Sequence, residues 1–261
     1  MPAERLDILG VPVDRLDWQR TLALIEEDLG REGPARAIVA VNPEKVMRAQ
    51  RDPQLLASLR SATLLIPDGI GVVAAARLLR LGRMQRVAGS ELMPRICALA
   101  AERARAVYLL GASAEVNERA ATVLRVSFPR LRIAGRQHGY VAESEMAGVV
   151  EAINASGAEI LFLALGSPRQ EMWMQRHLPS LTGVRLCQGV GGTFDVLAGT
   201  VRRAPRAFIR LNLEWLYRLL AQPQRLLRQS ALPRFALQVG SAFLAASLAG
   251  QRAASPRGTP K

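Results

Sequence analysis

Six short apolar runs, at residues 36–41, 64–66, 106–111, 131–135, 159–165 and 184–190, alternate with helix-patterned segments along most of the chain. Turn formers bound the runs, among them Asn42-Pro43, Pro67-Asp68-Gly69 and Gly166-Ser167-Pro168. Parallel strands need crossovers long enough to hold a helix. The alternation therefore predicts an α/β fold with a doubly wound, mostly parallel sheet. In such sheets ligands bind beyond the carboxyl ends of the strands, so the residues just after each run are where chemistry belongs.

The most informative of these tips is LLIPDGIGVV, residues 64–73. Leu64 to Ile66 end a buried strand and Pro67 withdraws a ladder donor. Asp68 and Gly69 then turn the chain into an apolar helix from about Gly71 to Leu79. A carboxylate at a strand tip, with Gly69 and Gly71 allowing close approach, is placed to act as a general base. Asp is also a common helix cap, and on this stretch alone the two roles weigh equally.

Other tips carry weaker signals. A helix is expected from about Glu44 to Arg51, one from a cap at Ser90 to about Arg103, and one over 144–155. From Gly111, the segment GASAEVNE can present main-chain amides to a phosphate. It contains neither GxGxxG nor GxxxxGK[ST], and an ordinary strand-to-helix connection is the simpler account. His138 and His177 lack metal-ligand spacing, and His138 fits a structural role better than a pocket role. There is no DxD motif to hold a divalent ion, no GxSxG, and no Cys/His pair at a usable spacing. Metal ligands and cofactors are not expected, and the chemistry should be acid–base and electrostatic.

The chain of 261 residues, 49% of them hydrophobic, can bury a large core and is too polar for a polytopic membrane protein. Cys97 and Cys187 suggest no disulfide framework, and the N-terminus MPAERLDILG lacks the apolar core of a secretion signal. A reducing cytosol is the default. The net charge of +13 is uneven: from Arg202 onward, ten arginines and Lys261 face Glu214 alone, a net +10. Nucleic acid, an anionic lipid surface and a diphosphate all suit such a tail. Lys45 and Lys261 are the only lysines, an imbalance that fits codon bias and marks no site by itself.

Three regions follow: an α/β domain over 1–201, a basic helical appendage over 202–250, and a tail over 251–261 expected to be disordered. Arg206, Arg210, Glu214, Arg218 and Gln222 share one helical face, with Phe208, Leu211, Trp215 and Leu219 opposite. Pro223 interrupts the pattern, and Arg225 and Arg228 share a face beyond it. Residues 235–250 are apolar but shorter than the ~20 residues of a spanning helix, which predicts an interfacial or docking helix.

Five blocks, in order and spacing, resemble the WecG/TagA/CpsF glycosyltransferases (glycosyltransferase family 26). They are VNPE at 41–44, PDGIGV at 67–72, RVAGSEL at 86–92, GSPRQE at 166–171, and GVGGTFDVLAG with RRAPRAFIRLNLEWLYRLLAQPQR over 189–225. The resemblance spans nearly the whole chain. It implies an inverting, metal-independent enzyme with a Rossmann-like core at the cytoplasmic membrane face. Such an enzyme moves a sugar of N-acetylmannosamine, uronic acid or glucose type from a UDP-sugar to a polyprenyl-diphosphate-linked sugar. The products are cell-surface polymers such as exopolysaccharide, capsule or teichoic acid linker.

Carried over by position, the resemblance makes Asp68 the base and puts Asn42, Arg86 and Gln170 in the pocket, with Arg218, Arg225 and Arg228 on the appendage. Gly69, Gly111 and Glu171 join the expected substrate contacts. Two positions depart from the pattern: Ala40 stands where Thr is usual, and Glu91 where Asp is commoner. Inverting transfer needs one base for the acceptor hydroxyl, and without a metal the leaving diphosphate needs cations, for which arginine suits. The expected partners are the donor, the lipid-linked acceptor and an anionic membrane surface, with no nucleic acid and a homo-oligomer left open. The rival expectation is a non-enzymatic protein that binds a nucleotide and docks its tail on membrane or RNA. A binding module has no need of Asp68.

Overall fold

A computed structural model describes residues 3–202, 204–205, 208, 216–217 and 231–254. The chain opens with an antiparallel hairpin of β1 (Arg5–Ile8) and β2 (Val11–Asp14), followed by α1 (Trp18–Gly30). The six apolar runs then become β3 (Arg36–Val41), β4 (Leu64–Pro67), β5 (Ala106–Gly111), β6 (Arg132–Gln137), β7 (Ile160–Ala164) and β8 (Leu186–Gly189). They form one parallel sheet in the order β4-β3-β8-β7-β5-β6, a doubly wound, Rossmann-like arrangement.

Side-chain alternation explains why both faces are covered. Val39, Val41, Leu65, Leu110, Leu161 and Leu163 point to one core, shared with α2 (Pro43–Ala49), α3 (Pro53–Ser61), α4 (Ile70–Leu78), α7 (Met146–Ala155) and α8 (Arg169–His177). Ile38, Ile66, Leu109 and Phe162 point to the other, shared with α1, α5 (Gly89–Glu102), α6 (Ala114–Ser127) and α9 (Thr193–Leu197). Strands apolar on both faces are what a two-sided parallel sheet requires. The chain leaves β3 and β7 toward the first face and β8 toward the second, so a crevice opens around the β8 tip.

The hairpin, α1 and α3 are additions to the sequence expectation. The hairpin guards the sheet's β4 edge: Asp14 Oδ2 accepts from Leu65 N at 2.7 Å and pairs with Arg5 at 2.8 Å. Arg5 Nη2 also donates to the Ala62 carbonyl at 3.2 Å. Those bonds occupy backbone groups that would otherwise offer an edge to another chain. The cap expected at Ser90 is not one. Helix α5 starts earlier, after Ala88, with no side-chain cap, and Ser90 lies inside its first turn.

The C-terminal helix runs from Ala231 to Ala254, longer than the apolar stretch suggested, and continues into the tail expected to be disordered. Its segment Ala231–Leu248 is long and apolar enough to cross a membrane by length and composition, contrary to the sequence expectation. One face is docked on the domain. Phe235 and Val239 are buried beside α2 and α4, and Gln50 Nε2 donates to Gln238 Oε1 at 2.9 Å. Leu237, Leu244 and Leu248 stay exposed. Of the amphipathic stretch before it, Phe208 and Tyr217 meet edge to face with centroids 5.6 Å apart. Arg206, Arg210, Arg218, Arg225 and Arg228 lie outside the described residues.

Gly111 shows how tightly the tips pack. Its φ is +128°, and an added Cβ would sit 2.4 Å from the Ala164 carbonyl oxygen of β7. Gly111→Ala should therefore lower the urea midpoint, with about 1–3 kcal/mol lost to backbone strain alone. Gly148→Ala, at an open position in α7, should instead stabilise by about 0.5–1 kcal/mol.

Candidate active site

The register of β3 against β4 pairs Val41 with Pro67, so Asn42 and Asp68 emerge level at adjacent tips. Asp68 N donates to the Val41 carbonyl at 2.8 Å, which fixes the two turns against each other. The N-cap of α4 is Gly69, not Asp68. Gly69 has φ +97°, a conformation that strains any residue with a Cβ, and its own Cβ position would lie 3.9 Å from Asn42 Cβ. Asp68 is thus partly exposed at a strand tip, with the cap position left to a glycine.

Arg86 is brought in by the loop that precedes α5. Val87 N donates to the Pro67 carbonyl at 2.8 Å, so the arginine's backbone runs beside the Asp68 turn. Its Nη2 donates to Glu91 Oε1 at 2.6 Å, with both side chains about one-fifth exposed. The Glu91 departure from the family pattern therefore has a structural role: it orients Arg86. Ala40 lies on the sheet face of Ile38 and Gln188, and Gly89 at the start of α5 packs against it. Gln188 Nε2 donates to the Gly89 carbonyl at 2.9 Å, while its Oε1 is buried without a partner.

Gln170 and Glu171 come from the first turn of α8, after β7. Gln170 Oε1 accepts from Gly191 N at 3.1 Å, in the loop after β8, and its Nε2 donates to Glu171 Oε1 at 3.0 Å. Glu171 is buried and pairs with Lys45 Nζ at 2.6 Å. Burial alone pushes the Glu171 carboxyl up. The Lys45 charge, with hydrogen bonds from Lys45, Gln170 and Ser167, outweighs it and holds the group below its ordinary value. Its Oε2 nevertheless receives no hydrogen bond of normal geometry. Asn42 Oδ1 accepts from Lys45 N at 2.8 Å and so caps α2.

Asp68, Gly69, Asn42 and Arg86 are therefore gathered at the β3 and β4 tips, and Gln170 and Glu171 are linked to them through Lys45. Gly111 is not among them. It lies four strands from β4 in the sheet order, roughly 19 Å at ~4.8 Å per strand, and its missing Cβ faces Ala164. The α6 N-terminus after it is capped by Ser113, whose hydroxyl accepts from Val116 N at 3.2 Å. The thiols are remote from chemistry, since burial pushes Cys97 up to about 12 and Cys187 higher still. Among the described residues no three His, Cys, Asp or Glu side chains gather as metal ligands.

The family model for the glycosyl transferase WecG/TagA/CpsF family matches residues 6–248, most of the chain. The chain belongs to this family. As a WecG/TagA/CpsF glycosyltransferase it is an enzyme, and the non-enzymatic alternative falls. A relative from Bacillus spizizenii, an N-acetylglucosaminyldiphosphoundecaprenol N-acetyl-beta-D-mannosaminyltransferase, is 38% identical over 205 residues, 77% of each chain. In this glycosyltransferase the sequence expectation overlooked Lys45. The available signal was a rare lysine among arginines, four residues past a strand end and beside Val46 and Met47.

The buried pair has a pH consequence. A carboxyl with a lowered native pKa stabilises the fold above its unfolded value of about 4.3, and that contribution is lost as pH falls through the native value. Glu171→Gln should be less stable at pH 7, yet lose less on acidification below about pH 4.3 than the unaltered chain. Parallel denaturation midpoints from pH 7 to 3 would check this; curves of identical slope would contradict it.

Proposed function

We propose that this glycosyltransferase is inverting and metal-independent, and moves a sugar from a UDP-sugar to a polyprenyl-diphosphate-linked sugar in cell-surface polymer synthesis. The observation that carries the reading is the level emergence of Asn42 and Asp68 at adjacent tips, with the Arg86 loop bonded to the same turn. The relative's activity by name, N-acetylmannosaminyl transfer to a diphosphoundecaprenol-linked N-acetylglucosamine, supports the acceptor class and makes N-acetylmannosamine the first donor sugar to test.

In this mechanism Asp68 takes the proton of the acceptor hydroxyl. The hydroxyl oxygen bonds to the anomeric carbon as the bond to the UDP oxygen breaks on the opposite face, through an oxocarbenium-like transition state. UDP departs with the electron pair, and arginine is suited to meet its growing charge. Arg86 supplies one cation. Arg218, Arg225 and Arg228, outside the described residues, supply the others on the strength of the family resemblance and the tail's +10. Asn42 and Gln170 hold sugar and nucleotide polar groups.

The C-terminal helix favours peripheral attachment to an anionic membrane over spanning. Phe235 and Val239 commit one face to the protein, leaving Leu237, Leu244 and Leu248 for the lipid interface. Arginines of the tail each add about 1 kcal/mol near an anionic surface.

The test is turnover on a short-chain diphosphate-linked N-acetylglucosamine with a panel of UDP-sugars, in the presence and absence of excess EDTA. Asp68→Asn should keep its fold and its affinity for UDP while turnover falls roughly 10²–10⁴-fold. Activity should persist in chelator. A well-folded Asp68→Asn enzyme with near-normal turnover would contradict the base assignment. Loss in EDTA that Mg²⁺ or Mn²⁺ restores would contradict the metal-free mechanism.

A further inference from the structure

Among the described residues, Lys45–Glu171 is the one ion pair with both side chains under 10% exposed, at 6% and 1%. Taking two charges out of water is costly, and an apolar pair of similar size often stabilises a fold as well or better. Stability alone therefore does not explain its presence. Its connections suggest another role.

The pair joins two hydrogen-bonded groups at three strand tips, with the lysine side chain as the covalent link between them. Gly191 N, after β8, donates to Gln170 Oε1, and Gln170 Nε2 donates to Glu171 Oε1. The same Glu171 oxygen accepts from Lys45 Nζ, and Lys45 N is held by Asn42 Oδ1, after β3. Gly189 makes room for this path, since a Cβ there would meet Gln170 Nε2 at 2.7 Å. Elsewhere α2 and α8 are bridged through α3, where Ser58 Oγ donates to Gln175 Oε1 at 2.6 Å, and the Lys45–Glu171 pair adds a second, buried hold on the Gln170 amide beside its bond from Gly191 N.

We infer that Lys45 and Glu171 are positioning residues, a buried clasp that ties the Asn42-capped start of α2 to the Gln170 amide and so fixes the spacing of the two across the β8 tip for the donor. The inference rests on the proposed UDP-sugar reading of the pocket. It gives Glu171 a place behind the pocket, reaching the donor only through Gln170.

The Lys45→Met/Glu171→Leu double variant separates positioning from stability. Lys45→Met alone leaves a buried carboxylate unpaired and should unfold at lower temperature, and the double variant should recover most of that loss. The double variant should still raise KM for the UDP-sugar and Kd for UDP at least about 10-fold, with kcat changed less than about 3-fold. A double variant with wild-type KM, kcat and UDP affinity would overturn the clasp. The Gln170 side-chain amide, followed by NMR in ¹⁵N-glutamine-labelled full chain, should exchange with water at least about 10-fold faster in the double variant. Unchanged exchange would overturn the clasp even if the unaltered chain bound no UDP, a result that would by itself overturn the UDP-sugar reading.

Discussion

A single main-chain hydrogen bond, from Asp68 N to the Val41 carbonyl, holds the carboxylate turn level with the Asn42 turn, and the apolar pattern of two strands enforces it. Val39, Val41 and Leu65 must reach one core while Ile38 and Ile66 reach the other. A slip of β4 by one residue against β3 would turn Leu65 and Ile66 toward the wrong faces. The register that buries the most apolar surface is therefore also the one that presents Asp68 beside Asn42. The hairpin protects that register from outside by occupying backbone groups along the β4 edge with Asp14 and Arg5.

Charges are distributed in two ways around these tips. Lys45 and Glu171 are sealed beneath the surface, where a short bond in a low-dielectric setting gives direction and little freedom. Arg86 and Glu91 pair nearer to solvent, each about one-fifth exposed, where screening makes an ion pair weaker and easier to exchange. The buried pair is thus the more rigid of the two and the partly exposed pair the more adaptable. The excess positive charge of the sequence lies beyond residue 201, and among the described residues there Phe235 of the C-terminal helix packs near Gly71, in the helix that follows Asp68.

The sheet was legible because most of its strands are apolar on both faces and bounded by turn formers, the edge strand β6 being the exception. The hairpin and α1 were not, since Arg5–Ile8 and Val11–Asp14 are four-residue strands with mixed polarity and no run to mark them. Asp68 was legible as a residue but ambiguous as a role; the structure puts the N-cap of the following helix at Gly69, one residue on. Gly111 looked like a phosphate cradle from its neighbours, whereas its positive φ and contact with Ala164 give it a packing reason that no local pattern reveals. Lys45 is the opposite case. Its rarity among arginines was visible, but its partner lies 126 residues away, a distance at which local spacing does not reveal the pairing.

The central claim is a single displacement in which Asp68 acts as base and forms no covalent bond to the sugar. The stereochemistry of the new linkage tests it most directly. With an α-linked UDP-sugar as donor, the one-bond C1–H1 coupling of the isolated disaccharide product should report a β linkage. An α-linked product would mean that two displacements occurred, or that departure and attack share one face. Either result would contradict the role given to the carboxylate at the β4 tip.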